Sequence, residues 1–353
     1  MPNYPTLNIE KNSIESPHVI ILGAGASLSA FPDGDKNGLK LPLMNTLYEV
    51  LNLEPTLSKY DLKYCCENFE TIYDRLFTSE KYPDLIEEIN GIVENYFRKM
   101  DIPDEATLYD YLILSLRSKD IIATFNWDPF LAKAYQRNMD AIGFDQMPQM
   151  AYLHGNVAIG VCYECRTHGW LYNKCNKCNR TFIASKLLYP ISKKNYSTDE
   201  FISYEWNKLQ HYMQQAYYIS IFGYSAPDTD TEAKELMTNA WNNNLTKDFT
   251  QIDLIDIKSK EEVYKNWHEF KIRENFVVCN NFFDTYLATH PRRSCDAFGM
   301  ATLQQNPWEV NPFPQNLSLS DLQEWIQPLV HEEKEGRFSG KPCNFLKEGL
   351  NKR

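Results

Sequence analysis

The sequence of 353 residues predicts an α/β fold: a parallel sheet covered by helices on both faces, with a helical insertion and a small inserted zinc ribbon. Three observations predict it. Short, wholly apolar runs alternate with helical stretches, as buried parallel strands alternate with their crossover helices. Residues 60–117 carry apolar residues at helical spacing with no strand-like run among them. Four cysteines fall in two closely spaced pairs, the layout of a tetrahedral metal site.

In chain order, residues 1–16 are polar, contain Pro2 and Pro5, and read as an N-terminal arm. His18-Val-Ile-Ile-Leu-Gly is the first buried strand, ending in glycine, and Pro42 opens a helix-like stretch to about Leu53. In the insertion, Leu85, Ile86, Ile89, Ile92, Val93, Tyr96 and Phe97 recur with a helical period. Asp120-Ile-Ile-Ala-Thr-Phe is the next strand, with a helix from Pro129, and Ala151-Tyr-Leu-His-Gly is short and strand-like. The cysteine module spans 160–182. A helix near 199–214, a strand at Tyr217-Tyr-Ile-Ser-Ile-Phe, a helix near 230–242 and a strand at Gln251-Ile-Asp-Leu-Ile-Asp-Ile complete a domain of residues 17–260. Asn275-Phe-Val-Val-Cys is a further strand candidate in a C-terminal extension of residues 261–353, an expected partner or oligomer contact. Its charged tail from His331 is expected to be mobile.

The net charge of -11 describes a soluble protein and a poor general binder of nucleic acid. No run of about 18 apolar residues occurs, so no membrane span is expected. The N-terminus lacks the charged-then-apolar layout of a secretion signal. Nine cysteines, an odd number, five of them scattered (Cys65, Cys66, Cys279, Cys295, Cys343), indicate a reducing compartment, and the expected location is the cytoplasm.

Gly23-Ala-Gly-Ala-Ser27 follows the first strand directly. Glycines there let a backbone approach a pyrophosphate. The third glycine of the usual dinucleotide fingerprint would fall at Leu28, and the acidic residue about 20 positions on is replaced by Leu43-Met-Asn45, which disfavours an ordinary NAD dehydrogenase. The loop alone also fits a tight strand–helix turn with no ligand.

Cys162-Tyr-Glu-Cys165 and Cys175-Asn-Lys-Cys178 form two knuckles whose four thiolates suit structural zinc, with no open coordination position for catalysis. From Cys162 to Lys194 there are seven Lys or Arg and one Glu. A solvated basic face is the favoured reading of that charge, over a docking patch for nucleic acid or an acidic partner.

Thr124-Phe-Asn-Trp-Asp128 and His154-Gly155 stand at the carboxyl ends of strand candidates, where open parallel sheets bind ligands. Singly, Asn126 or Asp128 could cap a helix and His154 could be a satisfied core histidine. Together with the glycine loop and the cysteine pairs, taken in this order, they resemble a sirtuin over roughly residues 18–258. Phe222-Gly-Tyr-Ser-Ala-Pro-Asp-Thr-Asp230 is similar to the adenosine-side segment of sirtuin-like bacterial proteins. The resemblance implies a Rossmann-like NAD-binding domain. It implies that Gly23, Gly25 and Ser27, with Ala24, hold the NAD phosphates and adjoining ribose. Asn126 would orient the ribose or the attacking water, Asp128 would shape the nicotinamide pocket, and His154 would be the general base. Ser225 and Asp256 would contact the adenosine half, and Asp33, Thr124, Gly223 and Asp230 join the cofactor-binding set.

The departures from the deacylating sirtuins decide the expected reaction. Phe125 stands where they carry Gln, Ala30-Phe-Pro-Asp-Gly34 is a reduced form of their Gly-Ile-Pro-Asp-Phe-Arg loop, and Lys186-Leu-Leu-Tyr-Pro-Ile-Ser-Lys-Lys194 lacks their Phe-Gly-Glu strand. The pattern is nearer to the sirtuin-like NAD hydrolases of bacterial anti-phage defence. That subfamily implies NAD depletion and assembly as a homo-oligomer or with a partner such as a HerA-type ATPase. A lysine deacylase and a non-enzymatic NAD or ADP-ribose sensor are the alternatives; a zinc-ribbon nucleic-acid module is disfavoured by the acidic remainder of the chain.

Overall fold

The computed structural model describes residues 5–63, 68–191, 196–226, 230–267, 276–336 and 338–342. Cys65, Cys66, Cys343, Asn275, residues 192–194 and residues 227–229 therefore lie outside the described residues.

The chain opens on a two-residue hairpin, β1 (Leu7–Asn8) and β2 (Ser13–Ile14). It continues through β3 (His18–Leu22) and α1 (Ala24–Ala30) into short α2 (Leu47–Val50) and α3 (Glu54–Ser58), then α4 (Phe69–Ser79), α5 (Pro83–Arg98) and α6 (Leu108–Leu114). Next come β4 (Ile121–Thr124), α7 (Phe130–Ile142) and β5 (Gln149–Tyr152), then three short strands, β6 (Ile159–Cys162), β7 (Thr167–Trp170) and β8 (Ile183–Ala184). The remainder is α8 (Glu200–Gln215), β9 (Tyr218–Phe222), α9 (Thr231–Asn242), β10 (Gln251–Ile255), α10 (Lys260–Trp267), β11 (Phe276–Cys279), α11 (Tyr286–Thr289), α12 (Ser294–Leu303), α13 (Leu319–Trp325) and α14 (Gln327–Glu335).

Six strands form one parallel sheet in the order β11-β10-β9-β3-β4-β5. Counted along the chain this is the doubly wound order 3-2-1-4-5-6, with its topological switch point between β3 and β9. The expected α/β fold with a parallel sheet is therefore the observed one. The central strands β3, β4, β9 and β10 are buried on both sides, and alternate residues serve opposite layers, while the edge strands β5 and β11 are partly exposed. Ile20, Leu22 and Ile122 join the core formed with α4, α5, α6, α7, α13 and α14. Val19, Ile21, Ile121 and Ala123 join the core formed with α8, α9 and α10.

Register positions the functional edge. Leu22 pairs with Phe222 and Thr124, Thr124 with Tyr152, and Phe222 with Ile255. The ladder runs one residue further: the amides of Gly23, Phe125, Leu153 and Gly223 donate to the carbonyls of Phe222, Leu22, Thr124 and Ile255. Residues that follow the strands thus stand in one row at the carboxyl edge.

Two details differ from the sequence reading. The stretch after Pro42 is mostly turn, with only Leu47–Val50 helical. The charged segment from His331 belongs to α14 as far as Glu335: Arg292 pairs with Glu333 at 2.7 Å, Arg293 pairs with Glu332, and Leu329 and Val330 are buried. The N-terminal hairpin is docked too. Ile14 is buried, and its amide donates to Asp296 Oδ1 (2.7 Å), while Asp296 Oδ2 accepts from buried Arg117 (2.6 Å).

Candidate functional site

The turn after β3 is built by backbone contact. The Gly23 and Gly25 amides donate to the carbonyls of Phe222 and Gly223 (3.0 Å each). Gly223 sits at φ +62°, and a Cβ there would lie 2.2 Å from the Ala26 nitrogen; one on Gly23 would lie 2.5 Å from the Gly223 oxygen. The switch point thus requires glycine on both strands. Ala24 is exposed and Gly25 half-buried, so the outer face of the turn is open to solvent.

Behind this turn lies a closed polar network. Asn126 Nδ2 donates to the Gly23 carbonyl and to Ser27 Oγ (2.9 Å each). Ser27 Oγ also meets Tyr109 OH (2.6 Å) and donates to Asp128 Oδ2 (2.7 Å). A hydroxyl has one proton and two lone pairs. With its proton on Asp128, Ser27 accepts from both Tyr109 and Asn126 and is saturated. The Gly23 carbonyl can only accept, so the orientation of the Asn126 amide is fixed. Its Oδ1 is the side-chain polar atom left without a partner among the described residues. Asn156 ties the segment from below, its Nδ2 donating to the Asp128 carbonyl (2.7 Å) and the Asn126 carbonyl (3.2 Å). Burial pushes the Asp128 carboxyl up to about 6, against the hydrogen bonds from Ser27 and the Phe130 amide, and it pushes the Tyr109 phenol well above its ordinary range.

His154 stands one strand over, after β5. Its Nε2 is 2.7 Å from Tyr196 OH, and Tyr196 OH donates to Asp230 Oδ1 (2.8 Å). Asp230 Oδ2 is 3.7 Å from Nε2. Phe125 joins the two halves: its ring meets the His154 ring edge-on (4.9 Å) and stacks on Tyr224 (4.2 Å, 6°). The Tyr224 hydroxyl is buried with no hydrogen-bond partner among the described residues. Gly155, at φ +73°, lets residues 186–188 cross the site: a Cβ there would lie 2.0 Å from the Lys186 oxygen, and the Leu188 amide donates to the His154 carbonyl (3.0 Å).

The structure brings Gly23, Ser27, Asn126 and Asp128 into direct contact, and sets His154 against Asp230. Thr124 is buried and accepts from the Asn126 amide (3.0 Å). Ser225 is exposed beside Gly223. Asp256, half-buried, stands after β10 and its Oδ1 accepts from the Lys258 amide (3.0 Å). Asp33 is exposed. The neighbouring Asp35 organises that loop, accepting from the amides of Asn37, Leu39 and Asp101 at 2.7–2.9 Å. Tyr109, Asn156 and Tyr196 carry no sequence signal of a site, and Tyr224, inside the Phe222–Asp230 segment, carries none of its own. A Thr107–Asp110 capping box marks where the helix holding Tyr109 begins, but not what its hydroxyl touches.

The cysteine module, β7-β6-β8, is an antiparallel sheet inserted between β5 and α8. The four sulfurs of Cys162, Cys165, Cys175 and Cys178 lie within 4.8 Å of one another, and Cys162 and Cys178 are 3.6 Å apart. A tetrahedron with ~2.3 Å Zn–S bonds has edges of about 3.8 Å. Hydrogen bonds from Thr167 Oγ1 (3.2 Å) and from backbone amides lower the Cys175 thiol to about 6, which favours the thiolate a metal needs. The cluster is compatible with zinc. Among the described residues no helix is long and apolar enough to cross a membrane.

No protein-family profile and no curated protein matches this chain. Among solved structures it is similar to a Sir2 protein in complex with an inhibitor, 2'-O-acetyl-ADP-ribose and a deacetylated peptide. The identity is 12%, over 82% of this chain and 94% of that one, with a TM-score of 0.38. A Sir2 homolog–NAD complex matches at 10% identity over 94% of this chain and 98% of that one, TM-score 0.39. A sirtuin from a study of substrate affinity matches at 14% over 74% and 88%, TM-score 0.39. Likenesses this loose carry no weight for the chemistry, which rests on this chain's own residues.

Proposed function

We propose that this protein binds NAD across the carboxyl edge of its sheet and hydrolyses the nicotinamide–ribose bond, giving nicotinamide and ADP-ribose. The observation that carries this reading is the row Gly23, Asn126, His154 at the ends of three adjacent strands, with Asn126 hydrogen-bonded to the Gly23 carbonyl. Doubly wound sheets bind dinucleotides at the switch point, where the glycine turn stands. The unpaired Tyr224 hydroxyl beside it is a buried group that a bound ligand would satisfy.

The chemistry asks little of the protein. Nicotinamide leaves as a neutral base, and the barrier is formation of an oxocarbenium-like ribose. The amide nitrogen of Asn126 is committed to Gly23 and Ser27, so Oδ1 is the atom that holds the attacking water or a ribose hydroxyl, as an acceptor. His154 takes the proton released, a task suited to imidazole near neutral pH. The cysteine cluster would hold zinc with four protein ligands; the metal's contribution is to fix the ribbon. The setting implied by the motifs is NAD depletion in anti-phage defence, controlled by assembly or a partner.

The test is NAD turnover by the purified chain without any peptide. Nicotinamide and ADP-ribose should form from NAD alone, and Asn126→Ala and His154→Ala should stop this with fold and zinc content intact. Turnover only with acyl-lysine peptide would make the protein a deacylase. Binding without turnover, also with candidate partners present, would make it a sensor. Undiminished turnover in both variants would remove the assignment of these residues.

A further inference from the structure

Tyr109 is the second residue of α6, the last helix before β4, and is 1% exposed. Its ring meets that of Phe31, which follows α1, edge-on (centroids 5.9 Å apart). The neighbouring Asp110 accepts from the amide and hydroxyl of Thr107 (2.7 Å each), and its Oδ1 accepts from Arg137 Nε and Asn138 Nδ2 of α7 (2.7 Å each). The first turn of α6 is therefore fastened to α1 and to α7, and the Tyr109 hydroxyl is a fixed point.

The hydrogen-bond count around Ser27 closes within the protein. Tyr109 OH reaches Ser27 Oγ (2.6 Å) and, more loosely, Asn126 Nδ2 (3.4 Å). An amide nitrogen only donates, so Ser27 Oγ is the acceptor that takes the phenol proton. Ser27 then sends its own proton to Asp128 Oδ2 (2.7 Å) and has one lone pair left, which Asn126 Nδ2 fills (2.9 Å). The reverse order, with Ser27 donating to Tyr109, would leave a buried phenol proton facing only another donor, a costly arrangement. The second Asn126 amide proton goes to the Gly23 carbonyl (2.9 Å). Every donor and acceptor position of the Ser27 hydroxyl is thus spent on its neighbours, and none is left for a phosphate or a ribose.

We propose that Tyr109 and Ser27 are positioning residues that hold the Asn126 amide, so that Ser27 acts on NAD through Asn126 and not by touching it. The hydrogen-bonding part stands alone; its effect on turnover rests on the hydrolase reading. The proposal also gives α6 a task in the reaction, because the hydroxyl that fills Ser27 comes from that helix.

The experiment combines side-chain amide NMR of the 15N-labelled full chain, with Asn126→Ala identifying the signals, and NAD kinetics with ADP-ribose binding. In the wild type both Asn126 amide protons should exchange slowly with water. Ser27→Ala should free one of them, which shifts upfield and exchanges faster, and Tyr109→Phe, which keeps the ring and its packing, should move the same proton by less. Ser27→Ala should lower kcat roughly 10-fold, with KM for NAD and the Kd of ADP-ribose little changed. Tyr109→Phe should lower kcat by less, and the double variant should fall about as far as Ser27→Ala alone. A Ser27→Ala protein that keeps kcat but binds NAD and ADP-ribose 10-fold more weakly would make Ser27 a ligand contact and overturn the proposal. An unchanged Asn126 amide and kcat in Tyr109→Phe overturns it too, and decides the matter if Ser27→Ala does not fold. An amide released by these substitutions, with no NAD turnover in any form of the protein, supports the positioning role and overturns only the hydrolase reading.

Discussion

The two halves of the candidate site are held in different ways. Asn126 is fixed by groups on regular elements or directly at their ends: the Gly23 carbonyl at the start of α1, Ser27 within α1 and Tyr109 within α6. His154 is held by groups on connections: Tyr196 ahead of α8, Asp230 ahead of α9, and the crossing of residues 186–188. Secondary structure preorganises the first half, while loops that must themselves be anchored preorganise the second. Geometry set on helices and strands is the more rigid, and connections are where motion and control concentrate. On the proposed hydrolase reading, the water-holding role falls to the rigid half and the proton-accepting role to the adjustable one.

The largest expected effect tests whether both halves act in one reaction. Asn126→Ala and His154→Ala should each lower NAD hydrolysis by about 10²–10⁴-fold, and the double variant should cost much less than the product of the two, as for groups acting as a unit. Fully multiplicative losses, measured as kcat/KM, would separate the halves into independent contributors.

Next come the glycines that close each half. Gly223→Ala and Gly155→Ala both place a Cβ at positive φ within 2.0–2.2 Å of backbone. Each should destabilise by roughly 3 kcal/mol or more, read as a lower urea midpoint. Gly223→Ala, which parts α1 from β9, should also disturb the Asn126 network. Gly155→Ala, which displaces residues 186–188, should disturb His154 first.

The Asn126 half contains a carboxyl raised towards neutrality. Asp128 has its folded value at about 6, against 3.8 as the ordinary value. A raised carboxyl favours folding while protonated. Its contribution is therefore fullest below about pH 4 and is lost as pH rises through about 6, a change of order 3 kcal/mol. Asp128→Asn removes this dependence. The stability of Asp128→Asn relative to wild type, from urea curves, should rise across that window; a constant difference would show that Asp128 titrates normally.

The smallest effect belongs to the metal. Chelation should release zinc and expose the ribbon to protease while the parallel sheet keeps its far-ultraviolet dichroism. Because the chain leaves the ribbon through the Leu188–His154 hydrogen bond, turnover should fall several-fold through the His154 half alone. Unchanged turnover in the zinc-free protein would show that residues 186–188 hold His154 without the ribbon.

Much of this was readable from residues in one dimension. The central strands are mostly apolar, because a strand buried on both faces has no solvent-facing side, and that property is local. The glycine turn, the cysteine pairs and the polar residues after β4 and β5 are local as well, so residues 23, 25, 126, 128 and 154 could be singled out by position. Tyr109 and Tyr196 could not. Each is one of 22 tyrosines, and what separates it from a core aromatic is the direction of a single hydroxyl across more than 25 residues of chain. The charged end of α14 reads as a solvated tail for the same reason, since its partners Arg292 and Arg293 lie some 40 residues earlier. Sequence by itself determined the strands of the sheet and which residue types stand at the strand ends. Tertiary structure alone decided how they hydrogen-bond, because one proton, two lone pairs and a fixed distance are satisfied only once the chain has folded back on itself.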